Sequence, residues 1–532
     1  MLYDSRASAY EKKNCPRDAL RDAKKTIDIA PQQWHGYFRS ARLFAALGQT
    51  DAALRMCSLA LERLGDASNH EARRRELVDL RQHLEAQTRC PVSGMPVELL
   101  LTIFGLSNKP VVISHVCRRW REVALSQSTL WHSLELAAPA KKALLKAQEW
   151  HRRSCGRIVK LNIHRLLGAN VFAFESDDMH PDDRARFTEI LATIRLLDWT
   201  KLKESHMVDV DVESFFYALS HSTGFVHQHL ETLTASYDYP SGVVFGRLEY
   251  NELPWESLRT FNITNGRCNW VQLSTSMRHL TSFEYKDGGN IGMPAEFHRF
   301  LQANPGLERL VVELPQWHPE VGVTESLTLA HLRHVEFSGI VPFIIKSGNF
   351  SLPSLQIMRM TKLKYAASML SELVKDEGTS FAELVELTAR FCTLEPHVLN
   401  SVLLRAPKLE TLTCTGNLTN AVAESLTTRP ASADPDAVNL PILCPALGVL
   451  DFSQSPDLKT GPVMRIVKER IALATSQDSG RYQLPGHDGY REVSCIRALR
   501  VDECPHIEAE LLSWFRKNVP QFSCRYELRR KR

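Results

Sequence analysis

The chain has 532 residues, of which 44% are hydrophobic and 24% charged, and its formal net charge is +4. That length exceeds one ordinary compact core and predicts several domains or an elongated repeat array, while so small a charge gives no ground for bulk nucleic-acid binding. The twelve cysteines form no CxxC pair, which predicts reduced thiols. The polar start "MLYDSRASAYEKKN" lacks the apolar core of a signal peptide, and no stretch approaches the roughly eighteen uncharged apolar residues of a membrane span.

Shifted by 34 residues, the N-terminus falls on itself: Tyr3 on Tyr37, Ala7 on Ala41, Tyr10 on Phe44, Ala19 on Ala53, Ala23 on Cys57. Paired helices need this alternation, because small residues permit close approach and aromatics fill the gap. Pro31 and "GQTD" from Gly48 punctuate the two copies, and Glu71 to Gln87 reads as a polar capping helix. Period and residue types resemble tetratricopeptide repeats. The resemblance implies a groove for a peptide or protein tether; packed hairpins with no binding role are the alternative.

The next segment is "VELLLTIFGLSNKPVVISHVCRRWREVALSQSTLW", Val97 to Trp131. Pro96 followed by Val97-Glu98 predicts a helix start. Leu99, Leu100, Ile103 and Phe104 then form one broad apolar stripe. A second stripe is Ile113, Val116, Cys117, Trp120 and Ala124, and Leu130-Trp131 closes a third short element. A unit of about forty residues seldom buries so much apolar surface by itself. The surplus must meet a neighbouring domain or another protein. Met95-Pro96, Glu98-Leu99-Leu100, Ile103-Phe104, Ser114, Val116 to Arg121, Ala124 and Leu130-Trp131 resemble the F-box; a helical-bundle core with coincident spacing is the alternative. The link "GLSNKPVV" looks slightly shorter than the family's usual one. The resemblance implies docking on Skp1, the adaptor of cullin-RING ubiquitin ligases, as a helix in a groove. The implied anchors are Pro96, Leu99, Leu100, Ile103 and Phe104, with Val116, Cys117 and Trp120 sharing core and contact roles. Trp131 is expected in the core.

Beyond about residue 157 the pattern apolar-x-x-apolar-x-apolar recurs. Its copies begin at Leu230, Leu258, Leu280, Leu307, Leu332, Leu355, Leu384, Leu409, Leu447 and Ile496, with looser ones at Ile158 and Ile194, and most steps are 22 to 29 residues. Each copy ends in the period of two of a strand. The array resembles leucine-rich repeats of irregular length, with Cys392, Asn417 and Cys504 at the ladder position, whose Asn side chain in that family satisfies buried backbone groups. Stacking would leave Glu284, Lys286, Arg309, Glu336, Arg359, Arg390, Asp451 and Arg500 on an open concave face. Both signs are present, which suits a folded protein substrate better than phosphate; ordinary solvated strand residues are the alternative. Residues 175–186, 427–441 and 475–490 read as loops or inserts. The end, "RYELRRKR", reads as a nuclear address, a phosphate contact or a solvated tail.

No catalytic constellation is evident. His221, His227 and His229 lack a partner at zinc spacing, Gly288-Gly289 with Gly292 reads as a turn, and Cys117 in a packed helix reads as structural. The expected fold class is α+β multidomain: N-terminal α-helical repeat hairpins (1–89), a three-helix F-box (90–136), a linker helix (137–157), a C-terminal α/β leucine-rich-repeat solenoid or horseshoe (158–524) and a basic tail (525–532). This order resembles fungal F-box proteins that act at replication forks, where the repeats engage a substrate such as the replicative helicase. The resemblance implies a non-catalytic substrate receptor of an SCF ubiquitin ligase, nuclear or also cytoplasmic. From the residues themselves no cofactor, metal or membrane association is expected, and no direct nucleic-acid binding. A repeat scaffold without a ligase role is the other reading.

Overall fold

Small residues set the approach of the first helices. In the computed structural model α1 (Leu2–Lys12), α2 (Pro16–Ile29), α3 (Trp34–Ala46) and α4 (Thr50–Leu64) form successive hairpins, followed by α5 (Glu71–Thr88). Ala7, Ala19, Ala23, Ala41, Ala53 and Cys57 are all fully buried. Gly36 shows how tight the approach is, since an added Cβ would stand 2.7 Å from the Ile27 side chain and 3.1 Å from the Ala23 carbonyl. Arg39 binds α3 to α1 by donating to Asp4 at 2.8 Å and Glu11 at 2.9 Å. Arg42 reaches Glu11 at 3.1 Å and Glu76 of α5 at 3.3 Å.

The structure describes residues 2–65, 70–88, 95–107, 109–137, 143–164, 197–210, 212–213, 215–216, 226–237, 244–245, 255–286, 294–314, 327–339, 350–375, 381–427, 442–476, 481–483 and 490–525. They fall into two compact units, 1–127 and 128–532. The expected loop at 175–186, the Gly288–Gly292 turn, His221, most of the insert at 427–441 and the tail beyond Arg525 lie outside the described residues.

In the first unit α6 (Val97–Ser107), α7 (Pro110–Ser114) and α8 (Arg118–Ser126) follow the helical hairpins. The second unit is built on a single sheet with fourteen described strands, all paired parallel and in chain order. The strands are β1 (Ser133–Ala137), β2 (Lys160–His164), β3 (Glu204–Val208), β4 (Thr232–Ser236), β5 (Thr260–Thr264), β6 (Ser282–Lys286) and β7 (Arg309–Leu314). They continue with β8 (His334–Gly339), β9 (Ile357–Thr361), β10 (Glu386–Arg390), β11 (Thr411–Thr415), β12 (Val449–Asp451), β13 (Ala498–Arg500) and β14 (Gln521–Ser523). The sheet is open, with β1 and β14 at its edges. Parallel neighbours require crossovers, and helices supply several of them, among them Trp270–Ser276, Pro294–Gln302, Ala366–Lys375 and Pro396–Leu404. The core lies between these helices and one face of the sheet: Phe283 and Tyr285 of β6 pack in one cluster with Leu273, Phe297 and Phe300. Chain and class are thus a mixed helical and sheet protein with a helical N-terminal region.

Each strand begins two residues after a buried apolar side chain. Ten of the leading residues are Leu230, Leu258, Leu280, Leu307, Leu332, Leu355, Leu384, Leu409, Leu447 and Ile496, all buried. The looser copy expected at Ile158 leads β2, and three other strands depart from the sequence expectation or extend it. The copy expected at Ile194 yields no strand over 197–203; the strand is β3, led by Leu202. Its signal was hidden because Ser205 fills the buried place that an apolar residue takes elsewhere. β14 is led by Val519. β1 is led by Trp131, so the tryptophan that closes the F-box pattern also opens the sheet.

The linker expected at 137–157 is instead part of this core. Its helix, α9 (Ala143–Arg153), stands Trp150 edge-on to Trp131 at 4.8 Å, and Trp150 Nε1 donates to the Ser133 carbonyl at 2.9 Å. Arg153 lies 4.2 Å above the Trp131 ring.

Candidate functional site

Helix α6 is apolar on two sides. Leu100 and Phe104, four residues apart, are fully buried, and Phe104 meets the half-buried Trp120 ring at 4.9 Å. Leu99, Ile103 and Leu106 run along the other side and are 54%, 41% and 85% exposed; Val112 and Val116 are 62% and 58% exposed. The arginine-rich cluster explains how so short a bundle holds its shape. Arg119 donates to the Met95 carbonyl and Arg121 to the Ser114 carbonyl at 2.8 Å, so the chain just before α6 and the last residue of α7 are tied to α8. Cys117 caps α8, its sulfur accepting the Trp120 N–H at 3.5 Å.

The anchors expected from the sequence therefore divide. Pro96, Leu99, Ile103 and Val116 are exposed, whereas Leu100 and Phe104 are sealed inside and are packing residues, a correction imposed by the helical period. Cys117 is also corrected: it is exposed at a helix end rather than packed within a helix. Leu106 and Val112 were missed, because 105–113 read as a link. An exposed apolar patch of this kind marks an interaction surface, since burying each such side chain is worth about 1.5–3 kcal/mol.

This geometry coincides with a family match. Residues 92–137 match the F-box-like family model, so the chain carries an F-box-like domain. F-box domains generally bind Skp1 in SCF complexes. No curated protein matches the chain as a relative.

The second candidate surface is the strand face opposite the core. Alternation along each strand brings Glu284, Glu336, Arg359, Asp451 and Arg500 to the middle row of the sheet, while Arg309 lies one row before it and Lys286 and Arg390 one row after. Much of the charge is neutralised within the face. Glu284 takes Lys286 at 2.7 Å and Arg309 at 3.0 Å. Arg359 bridges Glu386 at 2.7 Å and Glu336 at 4.0 Å. Asp451 accepts from the Ser453 N–H and hydroxyl at 3.0 and 2.6 Å. Arg390 and Arg500 are exposed. Burial, then Arg309 and Arg359, push His334 below its ordinary value of 6.5, so it is neutral at neutral pH and its contact with Glu336 is no ion pair there.

At the ladder positions Asn417 Nδ2 donates to the Ala389 and Thr415 carbonyls at 2.9 and 3.0 Å, and Cys504 Sγ to the Phe452 carbonyl at 3.2 Å. Sequence reasoning missed two asparagines: Asn265 Nδ2 donates to the Tyr237 carbonyl at 2.7 Å, and buried Asn304 satisfies Met277, Phe300 and Leu280. Among the described residues no three His, Cys, Asp or Glu side chains are placed to hold a metal, and His229 is exposed.

The ion pairs of the strand face carry a pH signature. Burial works to raise the Glu284 pKa, but Lys286 and Arg309 more than offset it; at Glu386 the hydrogen bonds from Arg359 dominate burial, and both carboxyls end below 4.5. Their stabilisation is complete above the unfolded value and is lost as pH falls through the lower folded values. Solvent screens these half-exposed pairs, so each contributes about 0.5 kcal/mol. A Glu284→Gln, Glu386→Gln double variant is expected to lose less melting temperature than wild type between about pH 5 and pH 3, by roughly 2 °C. Equal losses in thermal melts would show that these pairs contribute nothing.

Proposed function

We propose that this chain is the substrate-recognition subunit of an SCF-type, Skp1–cullin–F-box ubiquitin ligase. The observation that carries the reading is the outward stripe of Leu99, Ile103 and Leu106, with Val112 and Val116, lying inside the segment that matches the F-box-like model. In this reading the adaptor covers that stripe as a groove covers an amphipathic helix. The parallel sheet is a leucine-rich-repeat-like solenoid, supported by the recurring leucines and the asparagine and cysteine ladder bonds, and its strand face holds a protein substrate. The N-terminal hairpins are tetratricopeptide-like and tether a further partner. The chain supplies no catalytic group of its own. It works by proximity, raising the effective concentration of the substrate at the ubiquitin donor. The order of the three parts extends the reading to a nuclear receptor acting at replication forks.

The test is capture of a purified recombinant Skp1-type adaptor by the full chain, read by co-elution and calorimetry. A one-to-one complex with a Kd of about 1 μM or tighter is expected. No complex at tens of micromolar would overturn the reading and leave a repeat scaffold without a ligase role.

A further inference from the structure

Three successive strand-to-helix connections, those after β9, β10 and β11, expose large apolar side chains. Tyr365 is 63% exposed, Phe391 50% and Leu418 53%. Two of these residues also sit where side chains are disfavoured: Tyr365 has φ +64° and Phe391 φ +52°. A bulky residue there is an outlier, and such outliers gather at functional surfaces.

The turn itself does not call for a phenylalanine. The residue after each of β3, β5, β9, β10 and β11 has positive φ, and these residues are Asp209, Asn265, Lys362, Phe391 and Gly416. Each donates its N–H to the neighbouring chain segment, to Ser236 at 2.8 Å, Lys286 at 2.9 Å, Arg390 at 2.7 Å, Thr415 at 2.8 Å and Ser453 at 3.0 Å. Aspartate, asparagine and glycine tolerate that backbone. Phe391 fills the same place at a cost and leaves half its surface in solvent. Gly416 makes room for it: a Cβ there would stand 2.4 Å from Phe391 Cδ1.

The same turns carry exposed cations. Lys362, Lys364 and Arg390 are exposed, and among the described residues none is ion-paired, unlike Arg309 and Arg359 in the strand rows. The rim therefore sets three unneutralised cations beside apolar surface, against one exposed acid, Glu395, at the end of the turn after β10. We propose that it docks an extended acidic protein segment bearing an apolar side chain. Carboxylates of the segment meet Lys362, Lys364 and Arg390, and its apolar side chain rests on Tyr365, Phe391 and Leu418. A nucleic acid fits less well, because Glu336 and Glu386 flank the rim on the strand face and one of the three apolar residues is aliphatic, with no ring to stack on a base. The proposal deepens the reading of the sheet as the substrate-holding unit and rests on that reading. It needs no adaptor.

The probe is a short fluorescein-labelled peptide alternating Glu with Phe and Leu, titrated into the full chain without adaptor and followed by anisotropy. Its counterpart with Lys for Glu and a labelled oligouridylate are the comparisons. The acidic peptide is expected to bind at least tenfold tighter than the basic one and to weaken with salt. Lys362→Glu with Arg390→Glu should abolish that preference. Phe391→Asn, which suits positive φ, should weaken binding about tenfold while the melting temperature holds. Equal binding of the acidic and basic peptides, tighter binding of the oligouridylate, or unchanged affinity in the charge-reversed chain would each overturn the proposal. Because the readout uses the free chain, its failure leaves adaptor capture standing, and failed capture leaves this result readable.

Discussion

A Leu99→Asp, Ile103→Asp double variant is expected to lose Skp1-adaptor capture by at least a hundredfold, about 2.8 kcal/mol, while its thermal melt stays within a few degrees of wild type. Both side chains face outward on α6, 54% and 41% exposed, so aspartate there meets water in the free chain and costs the fold little. In the complex the same carboxylates would be stripped of water against an apolar groove, which adds a desolvation penalty to the lost burial of two aliphatic anchors. Leu100→Asp is the informative contrast. That residue is fully buried and one position away, so its variant is expected to unfold the α6–α8 bundle. Loss of capture with loss of structure would say nothing about docking; loss of capture with structure intact identifies the face. If the outward double variant still binds the adaptor with wild-type affinity, the stripe is not the docking face and the proposed function loses its main support.

The same helix shows what the sequence could and could not reveal. A stripe of Leu99, Leu100, Ile103 and Phe104 announces an apolar helix, and spacing alone separates it into the pairs 99/103 and 100/104. Which pair turns inward depends on the partners α8 offers, and Trp120 settles it by packing on Phe104. Leu106 and Val112 escaped notice because they flank a Ser-Asn-Lys-Pro stretch that reads as a break. The sheet is legible at β2, at β4 to β12 and at β13, where Ile158, the nine leucines from Leu230 to Leu447 and Ile496 lead strands with apolar residues at the inward places. It is illegible at β1, because Trp131 also closes the preceding motif. It was hidden at β14 because a proline follows Val519, and at β3 because Ser205 occupies a buried place. Alternation also placed the charged residues on one face. It could not show that Arg309 and Arg359 are neutralised there, because their carboxylates arrive from segments some 25 and 27 positions away. Cross-strand pairing is a property of register, which only the folded sheet fixes.

Register between distant segments also makes a single buried cation decisive at the sheet's C-terminal end. Arg470, on the helix Thr460–Thr475, is fully buried and, among the described residues, faces no carboxylate. Its guanidinium donates instead to four backbone carbonyls, Leu443 at 2.8 Å, Cys444 at 3.0 Å, Leu447 at 3.2 Å and Pro445 at 3.4 Å. Those carbonyls belong to the turn that leads the chain into β12, and Cys444 within it has φ +47°. Burial pushes the Arg470 pKa down to about 10, which still leaves it charged at neutral pH. The sign follows from that shift. The folded state binds its proton less tightly than the unfolded chain, so burial of the charge costs stability below the folded value, and the carbonyl dipoles offset that cost. Leucine in its place would remove the charge but take their donor from the Leu443 and Leu447 carbonyls, at about 1–3 kcal/mol each, while the Cys444 and Pro445 carbonyls keep the N–H groups of Leu447 and Ser494. Arg470→Leu is therefore expected to destabilise the sheet unit by about 3 kcal/mol or more. Because the chain has two compact units and a single melt would blend them, the measurement is native-state hydrogen exchange. Amides of β11, β12 and β13 should lose protection, while those of α1–α4 keep theirs. Arg470→Lys should fail in the same direction, since one ammonium has three donors and cannot span the four carbonyls. Wild-type protection across β12 in Arg470→Leu would show that the turn holds itself and that the buried arginine is dispensable.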